Sequence, residues 1–180
     1  LSKVKVFFFT ESKSYWRFIW CFLVEKFLFM VEVSFNVDEP FWKKSMPAFK
    51  KNISKAAKET IKTVIKGHQK NLGVNFLLTS DTNIKLLNKK YRNKNRSTNV
   101  LSFPMNQKFE GKNYMIGDVA ISLQKIIDES KKFKIQKNKY LSKIVIHGVL
   151  HLLGFDHQSN RQYNKMNKIE KKVFENLFCK

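Results

Sequence analysis

The stretch His147-Gly-Val-Leu-His-Leu-Leu-Gly-Phe-Asp-His157 completes a helical pattern that runs from Lys139 to Leu153. His147 and His151 are four residues apart, so a helix places both side chains on one face. Gly154 can adopt the left-handed conformation that ends a helix, which lets the chain turn and brings His157 back toward the same point. The sequence therefore predicts a long helix, a glycine turn and three converging imidazoles.

Three converging histidines are a typical ligand set for zinc. Neutral imidazole nitrogens bind Zn²⁺ at about 2.0 to 2.1 Å, and three protein ligands leave a fourth coordination position for water, as in catalytic sites. We therefore predict one Zn²⁺ ion on His147, His151 and His157. A single histidine more often occupies the core or the surface without a ligand role, and His68, alone in a lysine-rich segment, is assigned to that class.

The histidine spacing is similar to the metalloprotease pattern His-Glu-x-x-His-x-x-Gly-x-x-His. Gly148 stands where that pattern has its general-base glutamate, which disfavours peptide hydrolysis. Asp156 leaves two interpretations open. Its carboxylate orients a ligand or accepts a proton through water, or it only caps the backbone of the turn.

The remaining hydrophobic pattern predicts four strands. Apolar and polar residues alternate from Val31 to Val37, Val74 to Thr79 is rich in β-forming residues, and Thr98 to Phe103 forms a run stopped by Pro104. A fourth run, Ile116 to Ile121, follows a polar connection and is expected to pair with the third as a hairpin.

Apolar residues spaced three or four apart predict about five helices. These are Phe49 to about Gly67, a helix capped by Ser80 or Asp81 that carries Ile84, Leu87 and Tyr91 on one face, Leu123 to Phe133, Lys139 to Leu153, and Asn160 to Phe178. The order of strands and helices indicates an α+β fold, with a small mixed sheet of about four strands and the zinc site in the C-terminal half.

Composition indicates one domain and a polyanionic partner. The 180 residues are 43% hydrophobic, which is enough for a single core. Lys and Arg number 35 against 14 acidic residues, a net charge of +21, so nucleic acid is the natural partner. Lysine, asparagine, isoleucine and phenylalanine are all plentiful, so part of the basic excess is also explained by an AT-rich genome. Cys21 and Cys179 form neither a disulfide framework nor a paired metal spacing, which fits a reducing cytoplasm.

Residues 1–29 form an aromatic leader that differs from the rest of the chain. Its longest uninterrupted apolar run, Phe18 to Val24, is far shorter than the ~20 residues that a membrane span needs. No small-residue cleavage site follows an apolar run of proper length, so an export signal is not indicated. We expect translation to start at Met30 and the functional domain to comprise residues 30–180.

Two blocks of the sequence carry a family resemblance. The first is Leu87-Asn-Lys-Lys-Tyr-Arg92 followed by Thr98-Asn-Val-Leu-Ser-Phe-Pro104, and the second is the histidine block. Together they resemble the YbeY family, bacterial rRNA maturation factors that are single-domain, metal-dependent endoribonucleases. Gly117-Asp118 also matches a family position. The resemblance covers Met30 to Lys180, and the leader has no counterpart.

The resemblance implies a single-strand-specific, zinc-dependent endoribonuclease that acts in rRNA maturation, at the 3′ end of 16S rRNA, and in ribosome quality control. It implies RNA, ribosomal RNA in particular, and the small ribosomal subunit as partners, in the cytoplasm and away from membranes. It places zinc on His147, His151 and His157 and a catalytic role on Arg92, whose guanidinium can hold a phosphate bidentately. On the residues alone, an arginine beside lysines is more often solvated surface.

An alternative function remains open, a ribosome-associated assembly factor with a structural zinc site. The two functions differ in the fourth coordination position. An assembly factor can close it with a side chain, whereas a hydrolase must leave it to water.

Overall fold

The computed structural model describes residues 30–65, 71–108 and 113–179. The predicted leader and His68 lie outside these residues. The elements in chain order are β1 (Val31–Val37), α1 (Phe41–Ser45), α2 (Phe49–Val64), β2 (Asn71–Thr79), α3 (Asp81–Arg92), β3 (Val100–Lys108), β4 (Asn113–Ser122), α4 (Leu123–Lys132), α5 (Lys137–Leu152) and α6 (Asn160–Phe178).

The four strands form one mixed sheet in the order β1-β2-β4-β3. β1, β2 and β4 run parallel, and β3 pairs antiparallel with β4, with Phe103 opposite Asp118. The predicted hairpin and the predicted α+β class with a small mixed sheet are therefore confirmed. A parallel pair needs a crossover connection, and α2 supplies the one between β1 and β2.

The prediction that the third strand stops at Pro104 was wrong, because β3 continues to Lys108. β3 lies at the edge of the sheet, where proline is tolerated because the missing N–H has no ladder partner to lose. The register shifts between Pro104 and Gln107. Opposite Pro104, Gly117 has a φ of 141°, a left-handed conformation that favours glycine at this irregularity.

The described residues contain six helices rather than five. The additional helix is α1, which spans five residues between Pro40 and Pro47 and buries Trp42 completely. A helix little longer than one turn has no repeating apolar spacing, so periodicity could not predict it. Ser80 caps α3 by accepting from the backbone N–H of Asn83, which resolves the predicted choice between Ser80 and Asp81.

The two faces of the sheet are covered unequally. On one face the main core includes residues of α2, α5 and α6, together with Val100 and Val119. On the other face Leu101 and Ala120 pack with Ile84 of α3 in a much smaller cluster. Since neighbouring residues of a strand point to opposite faces, α3 and α5 lie on opposite sides of the sheet.

In the part of the chain that the structure describes, no helix is both long and apolar enough to span a bilayer.

Candidate metal centre

The three predicted ligands lie together at the C-terminal end of α5. His147 and His151 are half-buried on one face of the helix, and His157 is exposed in the connection to α6. One ligand atom from each ring can be chosen so that all three atoms lie within 4.8 Å of one another. The Nε2 atoms of His147 and His151 are 3.1 Å apart. Two nitrogens on one tetrahedral zinc ion would be about 3.3 Å apart, so this spacing fits a shared ion.

The glycine turn that brings His157 back is a Schellman motif. The N–H of Gly154 donates to the carbonyl of His151, and the N–H of Phe155 donates to the carbonyl of Leu150. Gly154 has a φ of 83°, the left-handed conformation that the sequence predicted. Two residues after His157, Ser159 caps α6 with a capping box, so both ends of the connection are held by hydrogen bonds.

Gly148 has a steric role that the sequence alone did not reveal. A Cβ atom on this residue would lie 3.0 Å from Cγ1 of Val119 and 3.1 Å from Cγ2 of Val100. The hydroxyl of Ser102 donates to the carbonyl of Gly148 at 3.0 Å. The close approach of α5 to β3 and β4 therefore leaves little room for a side chain at the position where metalloproteases carry glutamate.

Glu170 of α6 is a site residue that the sequence reasoning missed. Its Oε1 lies 2.7 Å from Nδ1 of His147. An ionised carboxylate can only accept, so Nδ1 carries the proton and Nε2 presents its lone pair toward His151. Histidine ligands are commonly oriented by a carboxylate in this way, but 23 residues separate the pair and no spacing rule connects them.

The environment of His151 favours its neutral form. Burial lowers the pKa of this imidazole, and the neighbouring His147 and His157 lower it further. The charge of Asp156 acts in the opposite direction as a smaller effect. Because a metal ligand must be deprotonated, the depressed pKa prepares His151 to bind a cation near neutral pH.

Asp156 makes the backbone contact that one of its two interpretations requires. Its Oδ1 accepts from the backbone N–H of His157 at 2.8 Å, which holds the ligand-bearing turn.

Among the described residues, the group of histidine, cysteine and acidic side chains able to share an ion contains only His147, His151 and His157. Three ligands leave one position of a tetrahedral ion to solvent.

Arg92 lies in a different part of the molecule from the histidines. It is the exposed last residue of α3, and Asn93 ends the helix with a φ of 55°. A cleft of about 240 Å³ is lined by Arg92, Lys94 and Arg96, and by Asn88, Ser97, Thr98, Asn99, Lys125 and Glu129. None of the three histidines lines this cleft, and α3 and α5 occupy opposite faces of the sheet. A catalytic role for Arg92 stays a prediction.

A family model described as endoribonuclease YbeY matches residues 41–178 of the chain. Three curated proteins named endoribonuclease YbeY illustrate the similarity. The one from Thermodesulfovibrio yellowstonii is 36% identical over 105 residues, 58% of this chain and 66% of that protein. The Pelagibacter ubique protein is 43% identical over 109 residues, covering 59% and 70%. The Neorickettsia sennetsu protein is 32% identical over 148 residues, covering 82% and 97%.

A solved structure is also similar. The solution structure of TM1509 from Thermotoga maritima aligns with a TM-score of 0.50 and 26% sequence identity, covering 81% of this chain and 87% of that one.

Proposed function

The chain belongs to the endoribonuclease YbeY family, and we propose that it is a zinc-dependent endoribonuclease that cleaves single-stranded RNA. The observation that carries the proposal is the convergence of His147, His151 and His157, with ligand atoms within 4.8 Å and no fourth protein ligand among the described residues. A site with an open coordination position suits hydrolysis better than a purely structural role.

Zinc bound by the three imidazoles would lower the pKa of its water to about 7 and so supply a hydroxide for attack on a phosphodiester. The chain's own residues prepare this chemistry. Glu170 holds the ring of His147 in one tautomer, and burial keeps His151 neutral. His157 is exposed, so the cluster is open to a large substrate on one side.

Arg92 is proposed to bind a phosphate of the substrate. Its guanidinium presents a planar fork that matches two phosphate oxygens, and Lys94 and Arg96 in the same cleft add positive charge. A strand of RNA long enough to pass from one face of the sheet to the other would contact both this cleft and the histidines. Arg92 would then position the strand and offset negative charge on a phosphate oxygen.

Ribosomal RNA is the proposed substrate, with maturation of the 3′ end of 16S rRNA and ribosome quality control as the proposed roles. The net charge of +21 favours a large, highly charged RNA partner such as the small ribosomal subunit. A cytoplasmic location follows from such a partner.

The assembly-factor alternative requires either a protein side chain in the fourth coordination position or a chain that binds RNA without cleaving it. The described residues offer no such side chain within the cluster. The hydrolase is therefore the better supported of the two functions.

The test is to incubate the purified protein with single-stranded and duplex RNA, before and after removal of metal by a chelator, and to restore zinc. We expect cleavage of the single strand that is lost with the chelator and recovered with zinc. Protein that binds zinc and RNA but never cleaves, even with small ribosomal subunits present, would establish the assembly factor instead.

A further inference from the structure

The sheet face opposite the histidines carries a groove of about 610 Å³, which is within the size range of small-molecule pockets. α3 covers this face over the row that contains Leu101 and Ala120, and Tyr91 at its end reaches Phe103 in the next row. The next row of residues crosses all four strands and lines the groove: Ser34, Asn75, Asp118 and Phe103.

The floor of the groove is a hydrogen-bonded polar ladder. The hydroxyl of Ser34 donates to Oδ1 of Asn75, and the amide of Asn75 donates to Oδ1 of Asp118 at 2.9 Å. Asp118 ends the ladder, and a carboxylate has acceptor capacity for donors beyond this one. The floor therefore presents an acceptor with a fixed orientation.

The wall of the groove is aromatic. Tyr91 lies edge-to-face on Phe103 at 5.1 Å between ring centroids and keeps 57% of its surface exposed. Lys90 places its Nζ 5.2 Å from the centre of the Tyr91 ring. An exposed ring beside a cation, above a polar floor, is the arrangement on which proteins stack unpaired bases of single-stranded nucleic acid.

Charge decides which part of a nucleotide enters the groove. The carboxylate of Asp118 repels a phosphate, so the floor cannot accept the backbone of RNA. Lys90, whose Nζ lies beside the Tyr91 ring, brings positive charge to the rim of the groove, where phosphates are attracted. The base therefore faces the floor while the backbone follows the rim.

We propose that this groove binds an unpaired RNA base that bears an exocyclic amino group, stacked on Tyr91 and donating to Asp118. Adenine, cytosine and guanine each present such a donor, whereas uracil presents carbonyl acceptors at the corresponding positions. The ligand is RNA because of the proposed function, but the site itself contains none of the metal ligands and none of the cleavage chemistry.

The experiment measures equilibrium binding of short labelled oligo(A), oligo(C) and oligo(U) to the zinc-loaded full chain by fluorescence anisotropy, with the RNA length checked on a gel afterwards. We expect oligo(A) and oligo(C) to bind more tightly than oligo(U). Tyr91→Leu should weaken binding of oligo(A) and oligo(C) by about 5- to 100-fold, the range for loss of one base stack. Tyr91→Phe keeps the ring and should retain the affinity.

The matched control is Phe133→Leu. Phe133 is 53% exposed, packs against Tyr140 and has Lys132 at 5.8 Å from its ring centre, so it reproduces the setting of Tyr91 outside the groove. This control should leave oligonucleotide binding unchanged. In Asp118→Asn the single remaining carbonyl oxygen is taken by the amide of Asn75, so the side chain presents an NH₂ donor to the groove and the preference for amino-bearing bases over uracil should fall toward one.

The groove proposal would be overturned by equal oligonucleotide affinity of Tyr91→Leu and wild type, or by a base preference that Asp118→Asn leaves unchanged. It would also be overturned if Tyr91→Leu lost binding to whole small ribosomal subunits while its binding of oligonucleotides stayed unchanged. The last result would assign the groove to a protein partner. Selective binding without any cleavage would reject the proposed function and leave the base site intact. Cleavage of RNA with no effect of Tyr91→Leu on binding would support the proposed function and reject the base site.

Discussion

The carboxylate of Glu170 on α6 accepts a hydrogen bond from Nδ1 of His147 on α5 at 2.7 Å. The contact joins the C-terminal helix to the first residue of the metal cluster and fixes which nitrogen of His147 faces the other two rings. Both side chains are partly exposed, at 30% for His147 and 20% for Glu170. Because an ion pair between partly exposed groups adds little to the stability of the fold, the effect of this contact is to orient the ring of His147.

Glu170→Gln should weaken zinc binding by about 10- to 100-fold, the usual effect of losing a carboxylate behind a histidine ligand. The amide keeps the shape but removes the charge that favours the donating tautomer. Competition with a chelating dye measures the affinity. Glu175→Gln changes an exposed acid on the same helix and should have no effect, and equal affinities for the two variants would show that Glu170 does not support the site.

His151→Ala should remove zinc and RNA cleavage together, because two imidazoles hold an ion in an open site only weakly. Metal content by mass spectrometry and cleavage of single-stranded RNA are the two measurements. His68→Ala alters the chain's other histidine and should keep both properties. Full zinc content in His151→Ala protein would remove the basis of the metal centre.

Arg92→Lys keeps the positive charge but loses the planar fork, so cleavage should fall much more than RNA affinity. Many lysines share the salt-dependent affinity, whereas a bidentate phosphate contact depends on one side chain. Zinc content should not change. Arg96→Lys tests an arginine that lines the same cleft and should have a smaller effect, and turnover by Arg92→Lys equal to wild type would contradict the catalytic role.

Gly148→Ala should lower the free energy of unfolding by up to about 2 kcal/mol, because overpacking a core costs about 1 to 3 kcal/mol while alanine in a helix interior regains about 1 kcal/mol over glycine. The added methyl group would press on Val119 and Val100, both of which are buried. Urea denaturation gives the change in stability. In the double variant with Val119→Ala the two effects should be less than additive, since the second change makes room for the first. Strict additivity would show that the two positions do not press on each other.

Local patterns were enough to predict much of the fold and the convergence of the three histidines. His147 and His151 share a face because of the helical period, and Gly154 ends α5 because a left-handed residue is needed there. The helical period also predicted α2 and α6, and the two-residue alternation predicted β1. Each of these features depends on residues a few positions apart, whose relation is set by backbone geometry alone.

Features that depend on the order of strands or on helix packing could not be predicted. Pro104 reads as a strand end, and only the edge position of β3 makes it tolerable. α1 is too short for a period, although its Trp42 is fully buried. Glu170 reaches His147 only because α6 packs beside α5.

The amino-acid sequence by itself predicted that three histidines converge and that strands and helices follow one another in the order of an α+β fold, and its basic charge favoured a polyanionic partner. The tertiary structure decided which surface each residue joins. It placed α3 and α5 on opposite faces, so Arg92 lies in a cleft apart from the histidines, and it aligned Asn75 with Asp118 across the open face. Helical and strand periods act over a few residues, whereas these relations join segments 43 or more residues apart and arise only when the sheet assembles.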